Sequence, residues 1–372
     1  LTLNMAAHAS GTANITLTTV GTANNATLIL GQGGIGDVSV GETNIVAADL
    51  LVDGSGFGGS VGLTSIIASG NATFIGGTSG NFSAGSVTTS AGDFVFSGGA
   101  HTSGTGTQTF TTLNISGGIA MTLGAGTGSF SANLVESGED ITIDAGNYSG
   151  SMTMSTVSAS GNLTVNIGKA GEILASSLLA YGDININAQN TGAVSADMTF
   201  TSITANGSNI TLALGGHSGT ISAGVVNGST VIIDGAQSSG AMVFKTIAAS
   251  ADLTLSTGKS GSFTAGDVKA VGDIVFTAAA HSTGTGAIVL TSMTASGTTT
   301  ISLGAGSGAF TAGSIDSAKD LVIDAANFGG TMNINDIVGS GDVTIASGSN
   351  GKFSGSAILS DNLSMNFSSF TT

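Results

Sequence analysis

"GDIVFTAAAHSTG", residues 272–284, has a near copy in "GDFVFSGGAHTSG" at 92–104 and looser copies in "GDININAQNTG" at 182–192 and "LTLNMAAHASG" at 1–11. Each copy opens on a short apolar alternation and runs into small polar residues. In the first, Ile274 and Phe276 alternate with Val275 and Thr277, and successive side chains of a strand point to opposite faces. One face of the strand is therefore apolar. A strand of four or five residues cannot bury that face alone, so the phrase requires neighbours with the same pattern.

The rest of the chain supplies them. The first inward apolar residue of each alternating segment falls at Leu1, Ala26, Leu50, Ala72, Phe94, Ile119, Ile141, Leu163, Ile184, Ile210, Val231, Leu253, Ile274, Thr299, Leu321, Val343 and Leu363, at intervals of 20 to 26 residues centred on 22. So short and persistent a period predicts a solenoid. The unit "DLVIDAANFGGTMNINDIVGSG" (320–341) reads as three short strands, "LVID", "TMNI" and "DIV", separated by Gly, Asn and Ser turns. The expected fold is an all-β parallel β-helix of about 16 coils of about 22 residues each.

A longer period overlies the first. The His-bearing phrase starts its strands at Leu1, Phe94, Ile184, Ile274 and Leu363, and a sister phrase carries Asp53, Asp144, Asp234 and Asp324 at intervals of 91, 90 and 90. Four coils thus form a super-repeat of about 90 residues. The expected organisation is one continuous solenoid, with super-repeats at 1–93, 94–183, 184–273 and 274–362 and the start of a fifth at 363–372.

Composition agrees with this reading. Proline, which cannot donate to a ladder, is absent, and 61 glycines serve the corners. Frequent Gly, Thr and Ser with two-residue alternation disfavour helix. The 41% of hydrophobic residues, recurring with period 2, disfavours disorder. Down the stack one inward column reads Val38, Phe82, Phe130, Ile173, Ile221, Phe263, Phe310 and Phe353, with Val61, Met152, Met242 and Met332 in coils between. This Met stripe is read as core packing.

Charge bounds the partners. Twenty-two acidic residues face six lysines and no arginine, for a formal net charge of −16. Such a chain repels phosphate backbones and anionic membrane surfaces, so nucleic acid is not expected as a partner. No apolar run approaches the ~20 residues of a membrane span. The absence of cysteine removes disulfides and thiolate metal sites. Neither an initiator Met nor a basic-then-apolar leader is present, which reads as a mature or excised segment.

Several residue sets invite a chemical role. His8, His101 and His281 are equivalent, with Gln189 near that place in the third copy. Four coils, ~19 Å, separate these positions, too far to share a metal, so they and His217 are assigned to turns or the surface. Asp or Asn often precedes the first strand. Where consecutive coils both carry Asp, as at Asp252 and Asp273 or Asp320 and Asp342, two carboxylates are brought ~5 Å apart. Turn chemistry is the plain reading of these acids, and calcium, which takes all-oxygen ligands, is the sharper one. The nonapeptide calcium repeat is absent.

No catalytic set stands out. Arg and Trp are missing, and the acids are spread by the repeat instead of being gathered in a cleft. An enzyme is not expected. N-x-S/T triplets at Asn71, Asn162 and Asn209 are background in so Asn- and Thr-rich a chain. The outward residue at the centre of the first strand is more regular: Thr27, Thr73, Thr164, Thr211, Thr254, Thr300 and Thr344 in alternate coils, with Ala120 the exception. Between them stand Leu51, Val95, Thr142, Asn185, Ile232, Val275 and Val322. This row reads as β propensity on an exposed sheet or as a lateral contact face. It lacks the flat TxT pairs of ice-binding solenoids.

"SGNLTVNIG" (160–168), "YGDININA" (181–188) and "SGDVTIASG" (340–348) resemble repeats of secreted bacterial exoproteins, the filamentous-haemagglutinin-like adhesins and Gly/Thr-rich surface-layer or β-strand-repeat proteins. The resemblance implies a right-handed parallel β-helix, export to the cell surface, and a role as stalk, adhesin, layer or fibre. Neither end of the chain carries an evident cap, from which the sequence reading expects continuation by more chain or by head-to-tail subunits. The expected function is a structural extracellular body that self-associates into a filament or layer. The alternative is a passive adhesin stalk whose binding tip lies elsewhere; a polysaccharide-active or ice-binding solenoid ranks behind both.

Overall fold

The computed structural model describes residues 1–5, 15–18, 20–31, 36–40, 45–98, 106–168, 171–188, 196–258, 260–278, 286–348 and 352–367. The described residues form strands and turns and no helix. They divide into two compact units, Leu1–Gly182 and Asp183–Thr372.

In each unit the chain alternates a short strand with a long one, and every strand pairs in parallel with its counterpart about one repeat away. In the first unit the short strands include Ala26–Leu30, Leu50–Asp53, Ala72–Ile75, Phe94–Ser97, Ile119–Thr122, Ile141–Ala145 and Leu163–Ile167. Their register places Ala26 beside Leu50, Leu50 beside Ala72, and so on to Ile141 beside Leu163. In the second unit Ile210, Val231, Leu253, Ile274, Thr299, Leu321 and Val343 stand in one row in the same way. The expected inward positions are thus in register within both units. The chain is a β-solenoid of about 14 turns with about 22-residue spacing. These turns match the unbroken long strands from Val61–Ala68 to Lys352–Leu359. Two further N-terminal coils have their long strand divided, as Ile15–Leu17 with Val20–Gly21 and as Val38–Val40 with Ile45–Ala47.

The three short strands expected per coil are two in the structure, because the second and third run together. In Phe82–Thr89, Phe82, Ala84, Val87 and Thr89 face the core, while Gly85 and Ser86 both face away. The pairing with both neighbours omits Gly85. The alternation slips by one residue there, which redirects the inner face without a turn. The slip residue carries a side chain in some coils and is glycine in others; where it is glycine the coils approach closely, since a Cβ on Gly85, Gly224, Gly266 or Gly313 would collide with the carbonyl oxygen of Thr64, Thr201, Lys245 or Thr291, the slip residue of the preceding coil.

Both strands contribute to the core. The column that begins its long strands reads Val38, Val61, Phe82, Gln108, Phe130, Met152, Ile173 in the first unit. In the second it reads Met198, Ile221, Met242, Phe263, Ile288, Phe310, Met332, Phe353. Gln108, Met198 and Ile288 complete the column in the coils between those whose occupants the period alone identifies. All of these are buried except Phe353, which is half-buried near the end of the described stack. In the first unit Phe74, Phe82, Phe94, Phe96, Phe110 and Phe130 form a contiguous cluster, its tightest pair being Phe96 and Phe110 at 5.1 Å and 81°. Edge-on ring pairs of this kind add about 0.5–1.5 kcal/mol beyond area burial. Leu1 and Leu363, first and last of the inward series, are 52% and 49% exposed, each having a partner strand on one side only.

Candidate functional site

The acidic residues that precede the short strands have a shared structural task. Asp49 Oδ1 accepts the Asn71 backbone N–H at 2.8 Å, Asn71 Oδ1 accepts that of Asp93 at 2.9 Å, and Asp93 Oδ1 accepts that of Gly118 at 2.8 Å. Asp140 does the same for Asn162 at 2.7 Å, and Asp183 for Asn209 at 2.9 Å. Each side chain satisfies a donor at the start of the next coil's strand, where no strand partner is yet available. A second ladder caps the long strands, with Asn81 accepting from Thr107 at 2.8 Å and Asp197 from Thr220 at 2.7 Å. Both ladders recur once per coil, so the Asp and Asn side chains add to the backbone hydrogen bonds that join coils outside the strands.

The four calcium candidates belong to the first ladder. Asp252 Oδ1 accepts the Asp273 N–H at 2.9 Å and Asp273 Oδ1 that of Thr298 at 2.7 Å. Asp320 Oδ1 accepts the Asp342 N–H at 3.0 Å, and Asp342 Oδ1 accepts from the Asn362 side-chain amide at 2.7 Å. One oxygen of each carboxylate is therefore engaged by its neighbour. Among the described residues no group of three or more His, Cys, Asp or Glu is placed to hold a metal ion.

The sister phrase is a turn with a plug. Asp53, Asp144, Asp234 and Asp324 each accept the backbone N–H two residues ahead, at 2.9 to 3.1 Å. These are Asx turns. Two residues further on, Phe57, Tyr148, Ser238 and Phe328 close an i to i+3 turn with their own N–H and lie buried. Tyr148 is 2% exposed; its hydroxyl donates to the Gly128 carbonyl at 2.6 Å, and burial pushes its pKa up to about 12.

His217, expected in a turn or at the surface, occupies the matching turn one coil before Ser238, where it is buried at 3% exposure. Its N–H closes the same turn onto Leu214 at 3.3 Å, with Gly215 at φ +47° inside it, the left-handed region open to glycine. Nε2 is buried without a hydrogen-bond partner. Desolvation lowers the His217 pKa below the ordinary value of 6.5, outweighing a hydrogen bond to the Ala196 backbone and the nearby Asp197 carboxylate. The sequence signal was present: in the other super-repeats this position is Gly126 or Gly306 and the ring stands one coil later, as Tyr148 or Phe328, whereas here His precedes a Ser. Gln108 Oε1 and the hydroxyls of Thr257 and Thr299 are likewise buried without partners. His8, His101, His281 and Gln189 lie outside the described residues.

The outward row of the short strands is in register as expected: Thr27, Leu51, Thr73, Val95, Ala120, Thr142 and Thr164 in the first unit. The second unit has Asn185, Thr211, Ile232, Thr254, Val275, Thr300, Val322 and Thr344. Ile232 and Val275 are 37% and 40% exposed. In the first unit the small Ala120 sits in a shallow hollow of about 250 Å³ beside Val95 and Thr142, bordered by Asp93, Glu139 and Asp140. No helix among the described residues is long and apolar enough to cross a membrane. In comparisons with known proteins, no family model, no curated protein and no solved structure matches the chain.

Proposed function

We propose that this chain is the structural body of an extracellular bacterial fibre, filament or layer, working through self-association and not through catalysis. The observation that carries the reading is the outward row of the second unit, where Thr211, Ile232, Thr254, Val275, Thr300, Val322 and Thr344 repeat one β-branched position coil after coil. A semi-apolar stripe at rung spacing offers the same contact at every coil and matches a surface of the same period, such as another copy. The ladders support the reading too, since their Asp and Asn oxygens are engaged in joining one coil to the next. The resemblance of the repeats to secreted exoproteins supplies the cell-surface setting.

A passive stalk is the second reading, and the charge favours it. A net −16 with no arginine opposes lateral packing of identical surfaces unless salt screens it. Electron microscopy and sedimentation of the full chain, at low and moderate ionic strength and with calcium or chelator, separate the two. Self-association predicts fibres or sheets that grow with concentration and salt and are lost on Ile232→Lys with Val275→Lys. Isolated particles under every condition would reject the assembly in favour of the stalk.

A further inference from the structure

Three Asn-Gly pairs occur in the chain, at 206–207, 227–228 and 350–351, the last lying outside the described residues. The first two differ in backbone setting and not in side-chain exposure, since Asn206 and Asn227 are both exposed. Asn227 lies inside the strand Ile221–Gly228, held between Thr204 on one side and Ala248 on the other. Gly228 is tightly packed, with an Ile210 side-chain carbon 3.0 Å from where a Cβ would stand. Asn206 and Gly207 lie between Met198–Ala205 and Ile210–Ala213 and belong to neither strand.

In the corresponding turns of the flanking super-repeats the glycine is closely packed. Gly117 donates its N–H to Gly92 at 3.1 Å and Gly297 to Gly272 at 2.9 Å. A Cβ on either would collide with the Asp93 or Asp273 carboxylate of the coil before. The Asn206 turn is one residue longer than these, with Ala205 and Ile210 five apart where Ile115 and Ile119, or Ala295 and Thr299, are four apart. Gly207 takes φ +77° and has nothing within 4 Å of its Cβ position. The turn is held on either side of this pair, with Asn209 donating its N–H to Asp183 Oδ1 at 2.9 Å and Ser208 accepting from Ser229 at 2.6 Å, while the space at Gly207 itself is open.

We infer that Asn206–Gly207 is a self-modification site, at which the Gly207 backbone nitrogen converts Asn206 to aspartate and isoaspartate. The Gly207 amide loses its proton and its nitrogen attacks Asn206 Cγ. The new N–Cγ bond closes a five-membered imide as the side-chain amide departs as ammonia. Solvent water then adds to one of the two imide carbonyls and breaks its C–N bond, leaving an α-linked aspartate or a β-linked isoaspartate. Glycine permits the attack because no side chain shields its nitrogen, and a pair outside both strands, with open space around Gly207, can reach the geometry in which the two atoms meet. Each event adds one negative charge three residues before Asn209, whose Oδ1 caps Thr230 at 3.2 Å.

The test is incubation of the full chain at mildly alkaline pH, with peptide mapping by mass spectrometry and isoaspartate detection over time. In the folded protein Asn206 should convert at least about tenfold faster than Asn227, because reaction needs a near-attack geometry that strand pairing forbids. In urea the two sites should react alike, and Asn206→Gln should remove the early product without altering the fold. Equal rates at Asn206 and Asn227 in the folded protein would overturn the inference, as would a preference for Asn206 that persists in urea.

Discussion

The two units build the same coil with different tolerances. In the first, the ladder ahead of the short strands reads Asn25, Asp49, Asn71, Asp93, Gly118, Asp140, Asn162, so no two carboxylates meet in consecutive coils. In the second it reads Asp183, Asn209, Thr230, Asp252, Asp273, Thr298, Asp320, Asp342, Asn362, and carboxylates meet twice. The buried turns differ as well. The first unit pairs Gly126 with Tyr148, whose hydroxyl is satisfied by Gly128; the second pairs Gly306 with Phe328 in the same way, but also His217 with Ser238, which leaves a ring nitrogen without a partner. One ring serves each of these turn pairs, and which coil supplies it can change while the backbone stays in register. The repeat therefore fixes a volume to be filled, not a residue.

That comparison is open to attack at several points. Tyr148→Ser copies the second unit's turn without its histidine and should cost about 3–5 kcal/mol, the range for deleting a buried ring. Adding Gly126→His should recover part of this loss in thermal unfolding of the double variant; strictly additive losses would show that the two positions do not share one space. Tyr148→Phe keeps the ring and strands the Gly128 carbonyl, for about 1–3 kcal/mol by denaturant unfolding.

The second unit should also respond to mild acid. His217 has a folded pKa below its unfolded value, so the unfolded chain binds the proton first. Its contribution is complete above pH about 6.5 and is lost as pH falls towards the lowered folded pKa, where the loss levels off. Unfolding followed against pH should show this slope in the native chain and not in His217→Phe; an unchanged slope would assign it elsewhere. The smallest effect belongs to the ladder. Asp273→Asn should raise stability by about 0.2–1 kcal/mol by removing one like-charge contact, whereas Asp93→Asn, already between neutral neighbours, should gain nothing.

The coil register was legible in the sequence because period 2 within a strand and period 22 along the chain leave each inward residue one position. Ile274, Leu321 and Val343 are buried where the pattern places them. The single long strand was not legible, because the slip at Gly85 and its equivalents involves no turn, and a break in the two-residue alternation, as at Asn335 between "TMNI" and "DIV", reads as the end of a strand. The ladder was half legible: Asp before each strand marked a turn, but only the structure shows Oδ1 reaching the next coil, as Asp140 reaches Asn162. His217 was legible as a turn residue but not as a buried one, because its burial shows only against Gly126 and Gly306, the equivalent positions of the other super-repeats.

Register between coils underlies all of this, and the absence of cysteine allows it to be measured cleanly. Thr254 and Val275 are direct partners on adjacent short strands, about 4.8 Å apart at Cα and within disulfide reach. Under mild oxidation the Thr254→Cys, Val275→Cys pair should close rapidly, and the Thr254→Cys, Thr277→Cys pair, two residues out of register, should not. Equal closure of both pairs, or preference for the second, would contradict the stacked-coil arrangement.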